Sequence, residues 1–201
     1  MTTLFLDFAS HRKMMALVQS DETQGIVYID DHTKEDELLP TLDTLLAQST
    51  LTLGDLCRIA VVTGPGGFMS LRVGLAIANT LGWSLSIPVG GIHLSAVWEA
   101  RIEKNQEVLW LHSTKKDAIF MRGLGALKAE VPETVMVSPT LLAQDIRESA
   151  EYIGELLPEH AKILPVAFAE KYRSLEDALP DIVDSIRYST PPVLAWYGRG
   201  L

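Results

Sequence analysis

The chain has 201 residues, enough for one large domain or two small halves, and 47% are apolar, which supports a sizeable core and excludes disorder as the default state. A net charge of −9 repels phosphate backbones and argues against direct, independent binding of nucleic acid. The single cysteine, Cys57, excludes an internal disulfide and a cysteine-rich metal site.

The opening "MTTLFLDFAS" lacks the basic and longer apolar segments of a signal peptide. No apolar run approaches the roughly 20 residues of a membrane helix. A cytoplasmic protein with no membrane partner is therefore expected.

The first thirty residues read as an antiparallel meander: "TLFLDF", "MMALVQ" and "IVYID" are apolar runs separated by the polar turns "SHRK" and "SDETQG". The period then changes. Leucines at 38, 39, 42, 45 and 46 make one helical stripe over about 34–48, with acidic residues at 35, 36 and 37 suiting the helix N-terminus. "RIAVVT" reads as a buried strand, and "VVTGPGGFMSLRVGLAIANTLG" carries it through a glycine turn into a helix over about 68–83. "HLSAVWEARIEK" is a helix candidate. "EVLWLHS" and "AIFMRGLG" form a second hairpin around "TKKD", a solvated turn. "ETVMVS" reads as a strand, "PTLLAQDIRESA" as a helix, "EYIGEL" and "AKILPV" as strands, and "AFAEKYRSLEDALPDIVDSI" as helical. The second half thus repeats the order of the first. We place the boundary in "RIEKNQ", giving an N-terminal subdomain over 1–103 and a smaller C-terminal one over 104–201.

The glycine turn raises a question of chemistry. A glycine-rich strand-to-helix turn can present backbone N–H groups to an anion. However, the lysine of a P-loop is missing, and Gly64 and Gly66 are followed by Met69 where a dinucleotide fold needs a third glycine. The helix behind the turn carries Ser70, Gly74, Ala78 and Gly82 at a spacing of four, a ridge of small side chains that lets a neighbour approach closely. That neighbour is either part of this chain or a partner. Arg72 beside the ridge is either a solvated surface arginine or the mate of a carboxylate or bound anion. Asp7, at the end of the first strand, is either a turn-capping residue or a carboxylate near a metal–phosphate complex. The five histidines form no H-x-x-x-H or H-E-x-x-H pattern, so no metal site is expected. No G-x-S-x-G elbow is present. The four tryptophans, at 83, 98, 110 and 196, read as core or interface anchors.

"GPGGFMSLRVGLAIANTLGWSLSIPVGGIHLSAV" closely resembles the signature of the TsaB (YeaZ-type) family: G-P-G-S-F-T-G-L-R-[IV]-G, a helix rich in small residues, a short "IP" strand and a V-S-S-L-x-A helix. The preceding "ELLPTLDTLLAQSTLTLGDLCRIAVVTGPG" is similar to the family's leucine-striped run, and "PPVLAWYGR" is compatible with it. The resemblance implies an α/β, actin-like (ASKHA, ribonuclease H-like) fold with two similar subdomains. It implies no catalytic residues of its own and a supporting role for a TsaD-like paralogue that makes N6-threonylcarbamoyladenosine (t6A) on tRNA. A TsaE-like ATPase would be a third partner, and a homodimer would form when the chain is alone. Carried onto this sequence, the partner interface would use Leu38, Leu42, Leu45 and Leu46 of the striped helix and Ser70, Leu71, Arg72, Gly74, Leu75 and Ala78 of the ridge helix. Asp7, Gly64 and Gly66 would be nucleotide-proximal, with ATP or ADP at most at the partner interface. The alternative is an ATPase or small-molecule kinase of the same fold using Asp7.

The sequence departs from the pattern at three places. D-T-S/T reads Asp7-Phe8-Ala9, S-F-T-G reads Gly67-Phe68-Met69-Ser70, and the second half's D-A-R-[RK]-x-E-V-Y reads Ser113 to Phe120, with serine for the carboxylate and Ala118 for the glutamate. Each change removes a polar group and weakens a nucleotide or catalytic role.

Overall fold

Alternation of apolar and polar residues makes strands, and the leucine stripe makes a helix that must cover them. The computed structural model describes residues 1–30, 32–146 and 150–198. In chain order the elements are β1 (Thr2–Asp7), β2 (Met14–Gln19), β3 (Glu22–Tyr28), α1 (Leu38–Gln48), β4 (Leu56–Gly64), α2 (Phe68–Leu85), β5 (Val89–His93), α3 (Leu94–Glu99), β6 (Glu107–Lys115), β7 (Ala118–Gly125), β8 (Val135–Val137), α4 (Pro139–Asp145), β9 (Glu151–Glu155), α5 (Pro158–Ile163), β10 (Ala167–Phe168), α6 (Leu175–Ser185) and β11 (Tyr188–Ser189).

The described residues divide into two units, one within 1–94 and 174–197, the other within 95–173 together with residue 198. The first contains the sheet β11-β5-β4-β1-β2-β3. β1, β2 and β3 form the expected antiparallel meander, and β4 and β5 run parallel to β1 and to each other. Parallel pairing needs a crossover, which α1 and α2 supply. The α1 leucines 38, 42, 45 and 46 are at most 4% exposed and pack on Leu4, Leu6, Met15 and Leu17 of the sheet.

The second unit contains the sheet β10-β9-β6-β7-β8. Its strands pair in the same pattern, antiparallel β6–β7–β8 and parallel β6–β9–β10. Strand order and direction repeat those of β3-β2-β1-β4-β5, so each unit is one copy of the ribonuclease H-like arrangement and the fold is α/β and actin-like. The "TKKD" segment is the exposed hairpin turn expected of it.

Several sequence-based expectations need correction. The division falls after Leu94 rather than at 103/104, and residues 174–197 return to the first unit, because α6 buries Ala178, Leu179, Ile182 and Val183 there. "AKILPV" is not a strand: Pro158 opens α5 at its N-terminal position, and helix continues through Ile163. "AFAEKYRS" is not helical. It begins with β10, and helix starts only at Leu175, after the Ser174 hydroxyl accepts a hydrogen bond from the Asp177 N–H at 3.0 Å. β3 begins at Glu22, inside the expected turn, and α3 stops at Glu99, well short of Lys104. Helix α4 ends at Asp145, and the remainder of that expected helix includes residues 147–149, which lie outside the described residues.

Candidate functional site

Two turns meet at the C-terminal end of β1 and β4, the end at which sheets of this kind carry ligands. The first follows Asp7, which is 3% exposed. Its Oδ1 accepts hydrogen bonds from the Ala9 N–H at 2.9 Å and the Ser10 N–H at 3.0 Å, and its Oδ2 accepts from the Ser10 hydroxyl at 2.5 Å. Burial pushes the carboxyl above its ordinary range, offset in part by the Ser10 hydroxyl and by the two backbone amides. Asp7 thus caps its own turn, as one of the two readings of the sequence has it.

The second turn is "GPGG". Gly64 has φ +128°, a conformation side chains rarely adopt, and a Cβ there would fall 2.5 Å from the Trp196 carbonyl oxygen. A Cβ on Gly66 would fall 2.6 Å from Ala9 Cα. Backbone from the chain itself therefore closes on the turn from two sides. The residues that come so close belong to the Asp7 turn and to the tail after Ser189.

That tail is fastened to the first unit at several points. Asn79 of α2 donates to the Val193 carbonyl at 2.9 Å and accepts from the Val193 N–H at 2.8 Å. The Trp196 N–H donates to the Thr63 carbonyl at 2.8 Å. The Trp196 ring stands edge-on to His93 at 4.5 Å, and Tyr197 meets Phe68 at 5.4 Å. Sequence reasoning missed this strap. Its one signal was Asn79, the one side-chain amide of α2.

The residues expected at a partner interface are mostly inside the chain. Leu38, Leu42, Leu45 and Leu46 form the core under α1. Leu71, Gly74, Leu75 and Ala78 are buried, with Gly74 against Phe8, and Gly82 lies against Val89. The small ridge thus serves packing within the chain. Of the ten residues, Arg72 is exposed and Ser70 half-buried. Arg72 lies over the Phe68 ring at 5.3 Å. The outward face of α2 is a different stripe: Met69, Arg72, Ala76, Thr80 and Trp83 are exposed at spacings of three and four. Trp83 is 79% exposed and Met69 61%, whereas Trp110 is fully buried.

In the second unit, Ser113 stands where the family pattern has a carboxylate. It is buried, and its hydroxyl accepts from the Leu157 N–H at 2.8 Å. His112 is fully buried, stacks on Trp110 at 5.9 Å, and places Nδ1 3.5 Å from the Glu155 carboxylate. No helix among the described residues is long and apolar enough to cross a membrane.

Two ribonuclease H-like units and a strand-end site define an α/β protein of the actin-like class. The family model described as "TsaD: tRNA N6-adenosine threonylcarbamoyltransferase" matches residues 26–135, and the chain belongs to that family, on its TsaB (YeaZ-type) side. It is 31% identical to the tRNA threonylcarbamoyladenosine biosynthesis protein TsaB of Bacillus subtilis over 46% of this chain and 41% of that protein. It is 34% identical to the TsaB of Haemophilus influenzae over 53% of this chain and 45% of that protein. The chain thus spans less than half the length of these curated relatives. The fold matches that of a Pseudomonas aeruginosa protein described as similar to peptidase YeaZ, with a TM-score of 0.72 and 19% identity over 98% of this chain and 99% of that one.

Proposed function

We propose that this chain is a non-catalytic partner subunit in t6A biosynthesis, supporting a TsaD-type enzyme on tRNA. One observation carries the reading: the glycine turn at the strand ends is closed by the chain's own backbone, at Ala9 and Trp196. Asp7 has both carboxylate oxygens engaged within its own turn. The residues present there do not suit a nucleotide phosphate, so ATP or ADP enters this reading only at the partner interface.

The partner surface is moved from the small ridge to the opposite face of α2, the exposed stripe of Met69, Arg72, Ala76, Thr80 and Trp83. Large exposed apolar side chains beside an arginine are the composition of an interface centre. The occupant is the TsaD-type paralogue. In its absence a second copy takes the same face with two-fold symmetry. A TsaE-type ATPase is the third member of the assembly. The tRNA is held by the partner, since a chain of charge −9 repels it.

The test is sedimentation of the purified chain alone and with the TsaD-type paralogue of the same cell. Association that is lost in Met69→Asp and Trp83→Asp, both solvent-facing changes that leave the fold intact, supports the reading. A wild-type monomer that does not shift on adding the paralogue sinks it. Tight binding of Mg-ATP by calorimetry, lost in Asp7→Ala, would favour a nucleotide-using enzyme instead.

A further inference from the structure

The outward stripe of α2 is symmetric in position about Ala76. Arg72 lies four residues before it and Thr80 four after, Met69 seven before and Trp83 seven after. Spacings of four and seven keep all five on one helix face. The large apolar side chains therefore stand at the two ends, 61% and 79% exposed, and the smallest stands in the middle. Two such helices laid antiparallel, Ala76 on Ala76, approach most closely where the side chains are smallest. Met69 of each copy then meets Trp83 of the other, about 10 Å to either side of the two-fold axis.

Charge favours the same register. α2 runs for 18 residues without a carboxylate, in a chain with 26 acidic residues, so two copies repel one another least on this face. Its one charged side chain is Arg72. Parallel pairing would set Arg72 on Arg72. Antiparallel pairing separates the two arginines by about 12 Å along the axis, beyond the roughly 8 Å screening length. It also sets each opposite a Thr80 hydroxyl, which can accept from a guanidinium.

A pocket stands where this register needs one. It has a volume of about 390 Å³ and is lined by Trp83 with Gly82, Ile87, Pro88, Thr190 and Pro191. All six are described residues of the first unit, at the end of α2 away from Phe68 and Tyr197. A methionine suits it, since a flexible thioether fills irregular apolar gaps and makes favourable contacts with an indole.

We propose that α2 pairs antiparallel with α2 of a second copy of this chain about Ala76, and that Met69 of each copy enters the pocket beside the other's Trp83. This rests on the reading of α2 as the docking face, to which it adds a register and an anchor.

The test uses single-cysteine variants of the full chain in a Cys57→Ser background, joined by a short bismaleimide. Ala76→Cys should cross-link to itself. Met69→Cys alone and Trp83→Cys alone should not, because like positions lie about 21 Å apart, whereas an equal mixture of the two should. In sedimentation, Met69→Ala and Trp83→Ala should each weaken self-association about tenfold, and the double variant little more than either, because both remove one contact. A dimer in which Met69→Cys and Trp83→Cys each cross-link to themselves, or in which the two losses multiply, overturns the proposal and leaves α2 as the docking face. A chain that stays monomeric also overturns it, and the docking reading then falls only if the TsaD-type paralogue fails to bind as well. Cross-linking of Met69→Cys to Trp83→Cys in a chain that ignores the paralogue upholds the register and sinks the role as a subunit.

Discussion

Phe8 stands in the place that a side chain at Gly74 would need: a Cβ on Gly74 would fall 2.8 Å from Phe8 Cβ and 2.9 Å from its Cγ. Phe8 is 3% exposed, and it is also the residue at which the sequence leaves the family's hydroxyl pattern. The two features are one packing arrangement. An apolar ring replaces a hydroxyl, and a bare helix face receives the ring.

Gly74→Ala should therefore destabilise the chain. Alanine gains about 1 kcal/mol of helix propensity. It also forces a methyl into backbone-proximal atoms of Phe8, an overpacking that costs about 1–3 kcal/mol. The expected net loss is up to about 2 kcal/mol in urea unfolding. In a Phe8→Gly background the ring and its Cβ are both gone, and Gly74→Ala should become stabilising by about 1 kcal/mol. If the sign does not reverse, the ring is not what Gly74 accommodates. Gly74→Leu, which a partner-facing ridge would make a dimer-breaking change, should instead impair folding.

Asp7 gives the stability a pH signature. Burial raises its folded-state value above the ordinary 3.8, so between those two values the folded chain holds more protons than the unfolded one. Its contribution to stability falls as pH rises through that window and is flat above it, where the buried carboxylate is charged in the fold. Asp7→Asn keeps an acceptor for the Ala9 and Ser10 amides and removes the charge. The variant should be at least as stable as wild type at pH 7 and should lack Asp7's descent. Thermal unfolding from pH 3 to 8 measures the difference curve, and a variant that loses stability above the window would mean the charge is favourably held.

Tyr188 lies in β11, at the edge of the first sheet. Its hydroxyl donates to the Val183 carbonyl at 2.7 Å, and burial pushes its pKa to about 12, with Arg58 lowering and Asp184 raising it. The protonated phenol is favoured in the fold. Its contribution is thus complete below the ordinary value of 10 and is lost as pH rises from there to about 12. Alkaline difference absorbance should show a tyrosine that titrates late and disappears in Tyr188→Phe.

Much of the fold is legible in the sequence because periodicity is a local property. The meander, the leucine stripe and the second hairpin each declare themselves within a few residues. What spacing does not carry is the identity of the neighbour. The small ridge of α2 fixes how close something comes, but the occupant at Gly74 is Phe8, 66 residues earlier by subtraction. An amphipathic α1 is equally consistent with a partner and with its own sheet, and the sheet takes it. The α5 helix was hidden because six residues are too few to show a period, although Pro158 marked its start. The strand-end site was half legible: Asp7 and the glycine turn could be found, but the tail that fills the turn has no repeating pattern.

Asn79 is where that tail can be released without touching the core. Its side-chain amide makes both a donor and an acceptor bond to the Val193 backbone, at 2.9 and 2.8 Å. An amide is the side chain suited to satisfy a backbone N–H and C=O together. Asn79→Ala removes both bonds and leaves two part-buried backbone groups to find water, at about 1–3 kcal/mol. Because the strap after Ser189 carries no helix or strand among the described residues, that loss should appear mainly as local opening rather than global unfolding. The Val193 and Trp196 amides should exchange roughly tenfold faster or more, while the amides of β1 and β4 keep their protection. Asn79→Asp keeps the acceptor for the Val193 N–H but turns a carboxylate toward its carbonyl, and should open the tail at least as far. Gly64→Ala supplies an independent route, since its Cβ would meet the Trp196 carbonyl. If either Asn79 variant leaves exchange at Val193 and Trp196 unchanged, the strap is held by something other than this clasp, and the closed glycine turn needs another explanation.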